Sequence, residues 1–549
     1  MVRLPAWTPG SYLIRDYVRW LDSLTVVQAG RTLPVERIDL AAWCFACVPD
    51  DPVEVRYGIQ ATELTVRTCH ADADHAFLAL AGLALRIEAE RWSPHRLELV
   101  LPSGWQAFVP LPRQGDGWLA RDFDQLVDSP VEAGPHPCHD FTVAGVPHRW
   151  VSWGDDLAGR DPQWLADVEK VCRACCRLMG EATPPSPEPY LFVLHLLERG
   201  YGGLEHDQAT VLQYGRRDLV KPEGRRRLLQ LVAHEYLHRW NVRRLRPAEL
   251  SPIDYDRPPL VPSLWFAEGI TSYFDQLLPV AAGCAGEEDL LEDLGADLSR
   301  YLLTPGRRVQ TLRQSSLEAW VKLYRQDAHS GDTQISYYLK GAVLALVLDL
   351  RLRRQGSALC TVLRRLWGSH GRWRRGYREE DLTAAFAEQV SELARLLPAW
   401  LESTEDPDLH SHLADVGLKL EPETSPQRSM GWQVEAEPPG ALRLRRVSFN
   451  GPAQEAGLAV GDELIAIDGQ RVRQQEDLAW LLDDARLGAE DRRRGSTRTL
   501  TALFCRDGRV RSTTLHPSPP VPERWRLRID PAAPAAAADR RARWLSLEP

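Results

Sequence analysis

The sequence predicts a multidomain α+β protein: a β-rich N-terminal part, a mixed and then helical central region, and strands again at the end. Three observations predict it. Short alternating apolar runs broken by Pro, Gly and Asp fill residues 1–140. Longer apolar stretches with helical spacing dominate from about 145 to 410. From about 411 the apolar period returns to two, and 549 residues give room for about three or four domains. The boundaries read from these shifts are 1–140, 141–410, 411–516 and a Pro- and Ala-rich tail at 517–549, read as a linker and a short helix with Trp525 and Trp544 as possible anchors.

In the N-terminal part, Ser23 to Gln28, Val53 to Ile59, Glu63 to Thr68 and Leu97 to Leu101 read as strands. In the central part, Pro189 to Leu197 is an unbroken apolar run, the pattern of a buried strand. It leads into Gly200-Tyr201-Gly202-Gly203-Leu204-Glu205-His206. Glycines let a backbone approach a ligand closely. An edge strand here could pair with an extended peptide through Gly202 and Gly203. A carboxylate at its end, Glu205, would then face the peptide's α-ammonium. A Gly-rich surface hairpin is the plain alternative.

Net charge is −9, which excludes bulk attraction to nucleic acid. Ten cysteines are too sparse for a disulfide framework, and they read as separate thiols suited to a reducing cytoplasm. No apolar run approaches the roughly 18 residues of a membrane span. The N-terminus shows no signal-peptide core. The expectation is a cytoplasmic protein with no membrane span and no nucleic-acid partner.

Lys221-Pro222-Glu223-Gly224 starts a helix, with Leu228, Leu229, Leu231 and Val232 on its buried face. It ends in His234-Glu235-Tyr236-Leu237-His238. Two histidines one turn apart share a face and can reach one Zn2+ ion, with Glu235 beside them as general base. Leu264 to Phe274 is a second, strongly apolar helix holding one carboxylate, Glu268. A lone Glu there is costly unless paired or bound to metal. His234, His238 and Glu268 leave a fourth zinc position open, the catalytic arrangement. Asp275, two turns after Glu268, could hold a ligand histidine or could be solvated. Ser336-Tyr337-Tyr338-Leu339-Lys340-Gly341 opens a helix running to about Arg354, and either tyrosine could donate to an oxyanion.

His234-Glu235-x-x-His238-Arg239-Trp240-Asn241 followed by Leu264-Trp265-Phe266-Ala267-Glu268-Gly269 resembles the glycyl aminopeptidase family of gluzincin metallopeptidases. Trp7, Pro9, Gly10, Ser11, Tyr12 and Arg15 are similar to that family's N-terminal domain. The resemblance implies an N-terminal β domain, a thermolysin-like catalytic domain and a C-terminal PDZ domain. It implies amine recognition by Glu205, an oxyanion donor at Tyr338, and cleavage of small N-terminal residues, Gly or Ala, from peptide substrates. The family places one or more strands before the Leu4 to Tyr12 stretch, which leaves the N-terminus, and any export signal, open.

Gly451-Pro452-Ala453-x-x-Ala456-Gly457-Leu458-x-x-Gly461-Asp462-x-Leu464-x-x-Ile467-x-Gly469 is a PDZ signature. Such domains capture peptide C-termini by strand addition. The matching loop is Gly431-Trp432-Gln433-Val434, where Gln433 replaces a small residue, so docking within the chain stands beside peptide capture. A zinc endopeptidase on the same scaffold, or a PDZ adaptor with a vestigial metal site, are the other readings. The complete set, Glu235 included, argues against the adaptor.

Overall fold

A computed structural model describes residues 1–438, 440–487, 489 and 499–548. Its centre is a five-stranded sheet in the order Cys138–Val143, Val146–Trp153, Tyr190–Leu197, Ala209–Gly215, Tyr201–Glu205. Tyr190–Leu197 runs parallel to both neighbours and is buried at every residue but the last. A strand covered on both faces needs apolar side chains throughout, which explains its unbroken run. Tyr201–Glu205 lies antiparallel on the rim of this sheet. The helices that follow stack over the sheet: Gly224–Leu237, Ile270–Ala281 and Tyr337–Arg354 pack on one another through Leu228, Trp265, Phe274 and Leu344.

The N-terminal part is made of small antiparallel sheets, among them Leu21–Gln28 flanked by Arg31–Leu33 and Val53–Ile59. Two expected strands differ. Glu63 to Thr68 is a turn, because its threonines take over the backbone. The Thr68 hydroxyl donates to the Glu63 carbonyl at 2.7 Å, and Thr65 Oγ1 accepts from the Arg67 N–H at 3.1 Å. The Leu97 to Leu101 strand stops at Leu97, where its short partner Gly117–Ala120 turns back after the Leu97–Trp118 pair.

The apolar core ignores the sequence boundary near 140. Leu4, Trp7 and Tyr12 belong to the same buried cluster as Leu228, Trp240 and Trp265. The C-terminal unit keeps its own core around Leu442, Leu464, Ile467 and Phe504. Its hairpin, Leu500–Arg506 with Arg509–Leu515, turns at Asp507 and Gly508, both at positive φ, as a two-residue turn requires. It meets the helical region where Arg446 donates to the buried Asp332 carboxylate at 2.6 Å and Phe449 stacks on His329. Among the described residues no helix is long and apolar enough to cross a membrane. All ten cysteines are free thiols.

The tail is no linker. Pro522–Ile529 is a strand paired along Leu418–Thr424, and the Trp525 N–H donates to Ser299 Oγ at 3.0 Å. The helix Ala535–Leu545 buries Trp544 completely, and its indole N–H donates to the Tyr273 hydroxyl at 2.7 Å. Trp525 and Trp544, the possible anchors in the sequence, do pack on the core, and Leu527 joins them. Trp544→Ala should destabilise the fold by about 3–5 kcal/mol, read as a lowered melting temperature. An unchanged melting curve would show that this helix contributes nothing.

Candidate active site

Three elements converge behind the rim strand Tyr201–Glu205. The helix Gly224–Leu237 supplies His234 and Glu235, and His238 follows as its C-cap, still in right-handed helical conformation. Trp265–Gly269 forms a π-helical turn that runs directly into Ile270–Ala281 and carries Glu268. Wide turns of this kind interrupt helices mainly at functional sites. Here Gly269 lies against the backbone of Gly341, where an added Cβ would come within 2.6 Å of Gly341 Cα. The glycine pair lets the Glu268 turn and the Tyr337–Arg354 helix touch backbone to backbone.

His234 Nε2 and His238 Nε2 lie 3.6 and 3.2 Å from Glu268 Oε2. One ligand atom from each of the three residues lies within 4.8 Å of the other two. Each ring is fixed from its far side. His234 Nδ1 is 2.8 Å from Asp275 Oδ2, and His238 Nδ1 donates to the Asn241 carbonyl at 2.6 Å. Asn241 in turn donates its amide to the carbonyls of Phe266 and Ala267, which ties the two helices together. With both Nδ1 atoms so committed, both Nε2 atoms face Glu268. This is the orientation that metal-ligating histidines adopt. The arrangement also answers which role Asp275 takes: it faces His234, not solvent.

The electrostatics suit a cation. Burial lowers the proton affinity of His234, but hydrogen bonds to Asp275 and Glu268 outweigh it and hold its pKa well above the usual value. His238 is raised against the same burial by Glu268. Burial would raise Glu268, yet the two rings bring it down to about 2. Two imidazole nitrogens and one ionised carboxylate oxygen, in a field that favours positive charge, fit a divalent transition metal.

Glu235 and Glu205 lie on the sheet side of this centre. Both are buried, and Glu235 Oε2 and Glu205 Oε1 have no hydrogen-bond partner in the protein. Glu205, Glu235 and His238 each offer an atom within 4.8 Å of the others. Burial pushes Glu235 up to about 7, with His234 and His238 pulling it down and Glu205 and Glu268 adding to the rise. Gly203 is the point of closest approach: a Cβ there would fall on the Glu235 carboxylate. Gly202 has open space at the same position. The Gly203 carbonyl accepts from Arg67 Nη2 at 3.2 Å. From the N-terminal part, Gly10 at φ 85 closes on Glu205, where a Cβ would meet both carboxylate oxygens at 2.5–2.6 Å. Gly203→Ala should therefore displace the Glu235 carboxylate and lower turnover at least tenfold without unfolding the chain. Unchanged kcat with a normal melting curve would remove Glu235 from the reaction.

Tyr338 lies in the first turn of the helix Tyr337–Arg354, its N–H held by the Ser336 hydroxyl at 3.2 Å. Its ring lies 6.4 Å from that of His234 and nearly parallel to it. Tyr337 is fully buried beneath it. The Tyr324 hydroxyl lies between the two, 3.2 Å from Tyr338 and 3.1 Å from Tyr337. Of the pair, Tyr338 is the one beside the histidines. His206 stays out of the cleft, paired with Asp128 at 3.1 Å.

At the C-terminal unit, Gly431 forms the turn and Trp432–Glu437 is already an edge strand. Trp432 and Val434 pack onto that unit's core, and Gln433 is exposed. The Val434 carbonyl accepts from Gln475 Nε2 at 3.1 Å, so one backbone acceptor of this edge is taken. The residues that sequence reasoning left without a role are Arg67, Asn241 and Tyr324. Asn241 stood within the quoted motif, but Arg67 and Tyr324 lie in turns with no local signature.

The family described as M61 glycyl aminopeptidase matches residues 227–344, the peptidase M61 N-terminal domain matches 1–135, and a PDZ domain matches 444–488. A search of curated proteins gives no match. Among solved structures, an aminopeptidase N family protein from Idiomarina loihiensis is 29% identical, covers 99% of this chain and 94% of its own, and superposes at a TM-score of 0.89. An M1 zinc metallopeptidase from Deinococcus radiodurans is remote, at 17% identity, 71% and 87% coverage and a TM-score of 0.46. Two M61 domains in order, a PDZ domain behind them and a likeness along nearly the whole chain to an aminopeptidase N family protein show a metallopeptidase built of M61 glycyl aminopeptidase domains and a PDZ domain.

Proposed function

We propose that the protein is a zinc aminopeptidase that removes small N-terminal residues, Gly or Ala, from peptides. The observation that carries the reading is the buried Glu205 carboxylate, with one oxygen unpartnered, next to Glu235 and His238. A buried carboxylate oxygen without a hydrogen bond is costly unless a cationic donor reaches it. The α-ammonium of a peptide laid along the rim strand supplies one.

His234, His238 and Glu268 would hold the zinc. A bound zinc supplies Lewis acidity, polarising a carbonyl and acidifying water. Glu235 takes the proton of the attacking water and returns it to the leaving amine. Its unpartnered Oε2, raised pKa and place between the histidines and the rim strand support that role. Tyr338 donates its hydroxyl to the oxyanion, with Tyr324 aligning it. Asp275 and Asn241 keep both imidazoles in the ligating tautomer. Gly10 and Tyr12 close the amine end, which supports a small first residue. The PDZ domain is read as docked through Arg446 and Asp332; the used Val434 carbonyl speaks against free peptide capture.

The test compares free and N-acetylated alanyl peptides. Acetylation should abolish cleavage by the wild type, and Glu205→Gln should raise KM for the free peptide while leaving the acetylated one uncleaved. Equal cleavage of both peptides by the wild type would replace this reading with an endopeptidase.

A further inference from the structure

We infer that the chain binds a second divalent transition-metal ion away from the catalytic cleft, on the β-hairpin that carries His70, Asp72 and His75. The strands His70–Ala71 and Ala76–Leu78 pair through His70–Phe77 and Ala71–Ala76, and the tight turn between them brings the two imidazoles to 5.1 Å. Asp72 Oδ1 is spent on the turn, accepting the N–H groups of Asp74 and His75 at 2.8 and 3.0 Å. That leaves Oδ2, which lies 3.1 Å from His70 Nε2. One ligand atom from each of the three residues lies within 4.8 Å of the other two.

His75 is the decisive residue. It is wholly buried and stacked on Trp153 at 4.2 Å. Its Nδ1 is 3.0 Å from Glu132 Oε1, and its Nε2 is buried with no partner. A carboxylate on one imidazole nitrogen with the other left free is how proteins orient a histidine for a metal. Glu132 is itself held by His195 Nε2 at 2.8 Å and lies 2.8 Å from His136 Nε2. It therefore links the hairpin to the central strand of the catalytic sheet.

The neighbouring trio His75, Glu132 and His195 is equally compact but is a weaker ligand set. Its imidazole nitrogens already spend their bonds on the carboxylate, and His195 Nδ1, the far nitrogen, has no partner. On the hairpin, Asp72 is 43% exposed at its side chain and opens the site to solvent. Two imidazole nitrogens and one carboxylate oxygen select zinc, nickel or copper over calcium or magnesium. An ion there would brace the N-terminal part against the catalytic sheet.

Counting zinc tests the inference. The full-length protein is stripped with a chelator, dialysed against Zn2+, and its metal measured by mass spectrometry. Wild type should retain two equivalents and His70→Ala/Asp72→Asn one, with turnover kept. His234→Ala should also retain one, with turnover lost, and the triple variant none. If the double variant fails to fold, Asp72→Asn alone should release its second zinc at least tenfold more readily. One equivalent in the wild type that His234→Ala abolishes, or two in the double variant, would overturn the site.

Discussion

Glu235→Gln should leave metal binding intact and lower kcat by about 10²–10⁴. The substitution keeps the shape of the side chain and removes only its ability to take a proton. Glu235 makes no contact that the fold needs: its Oε2 is unpartnered, and Gly203 yields room for it. The variant should therefore melt like the wild type and bind substrate with similar affinity. Metal content by mass spectrometry, a melting curve and kcat on an alanyl peptide measure the three expectations together. A variant with full metal and undiminished kcat would assign proton transfer elsewhere.

Glu268→Ala should reach the same silence by another route. It deletes one of three donors and leaves two buried imidazoles facing a gap. Loss of a partner that only orients a ligand costs 10–100-fold in metal affinity; loss of the ligand itself should exceed that. The two variants then separate cleanly in a dialysis experiment, because Glu235→Gln keeps its metal and Glu268→Ala does not. Asp275→Asn falls between them. Its amide oxygen can still accept from His234 Nδ1, so the tautomer survives while the charge is lost. Stoichiometric metal in Glu268→Ala after dialysis would exclude Glu268 as a ligand.

How much of this could be seen in the sequence follows from how local each signal is. His234, Glu235 and His238 share one helical turn, and their spacing is fixed by the backbone. Glu268 was legible because an unpaired carboxylate among Trp265, Phe266 and Ile270 needs a reason. Asp275 stays open in the sequence between a ligand histidine and solvent, because spacing along one helix does not tell which neighbour covers it, and here that neighbour is His234. The contacts of Gly10 with Glu205 and of Arg67 with Gly203 join residues well over a hundred positions apart. No period or motif encodes such pairs. The same holds for Trp525 and Ser299, whose pairing turns an apparent linker into a strand. At Glu63 to Thr68 the β-favouring residues were read correctly, but the threonine hydroxyls bonded locally instead.

The brace between Trp544 and Tyr273 spans 271 positions of chain. Tyr273 sits two residues from Asp275, on the same helix. The helix Ala535–Leu545 lies far behind His234 and His238 in the sequence. Tyr273 is held from a second side as well, its hydroxyl donating to Asp349 Oδ2 at 2.6 Å. The helix that carries Asp275 is thereby tied to a residue far along the chain from the two histidines it lies beside.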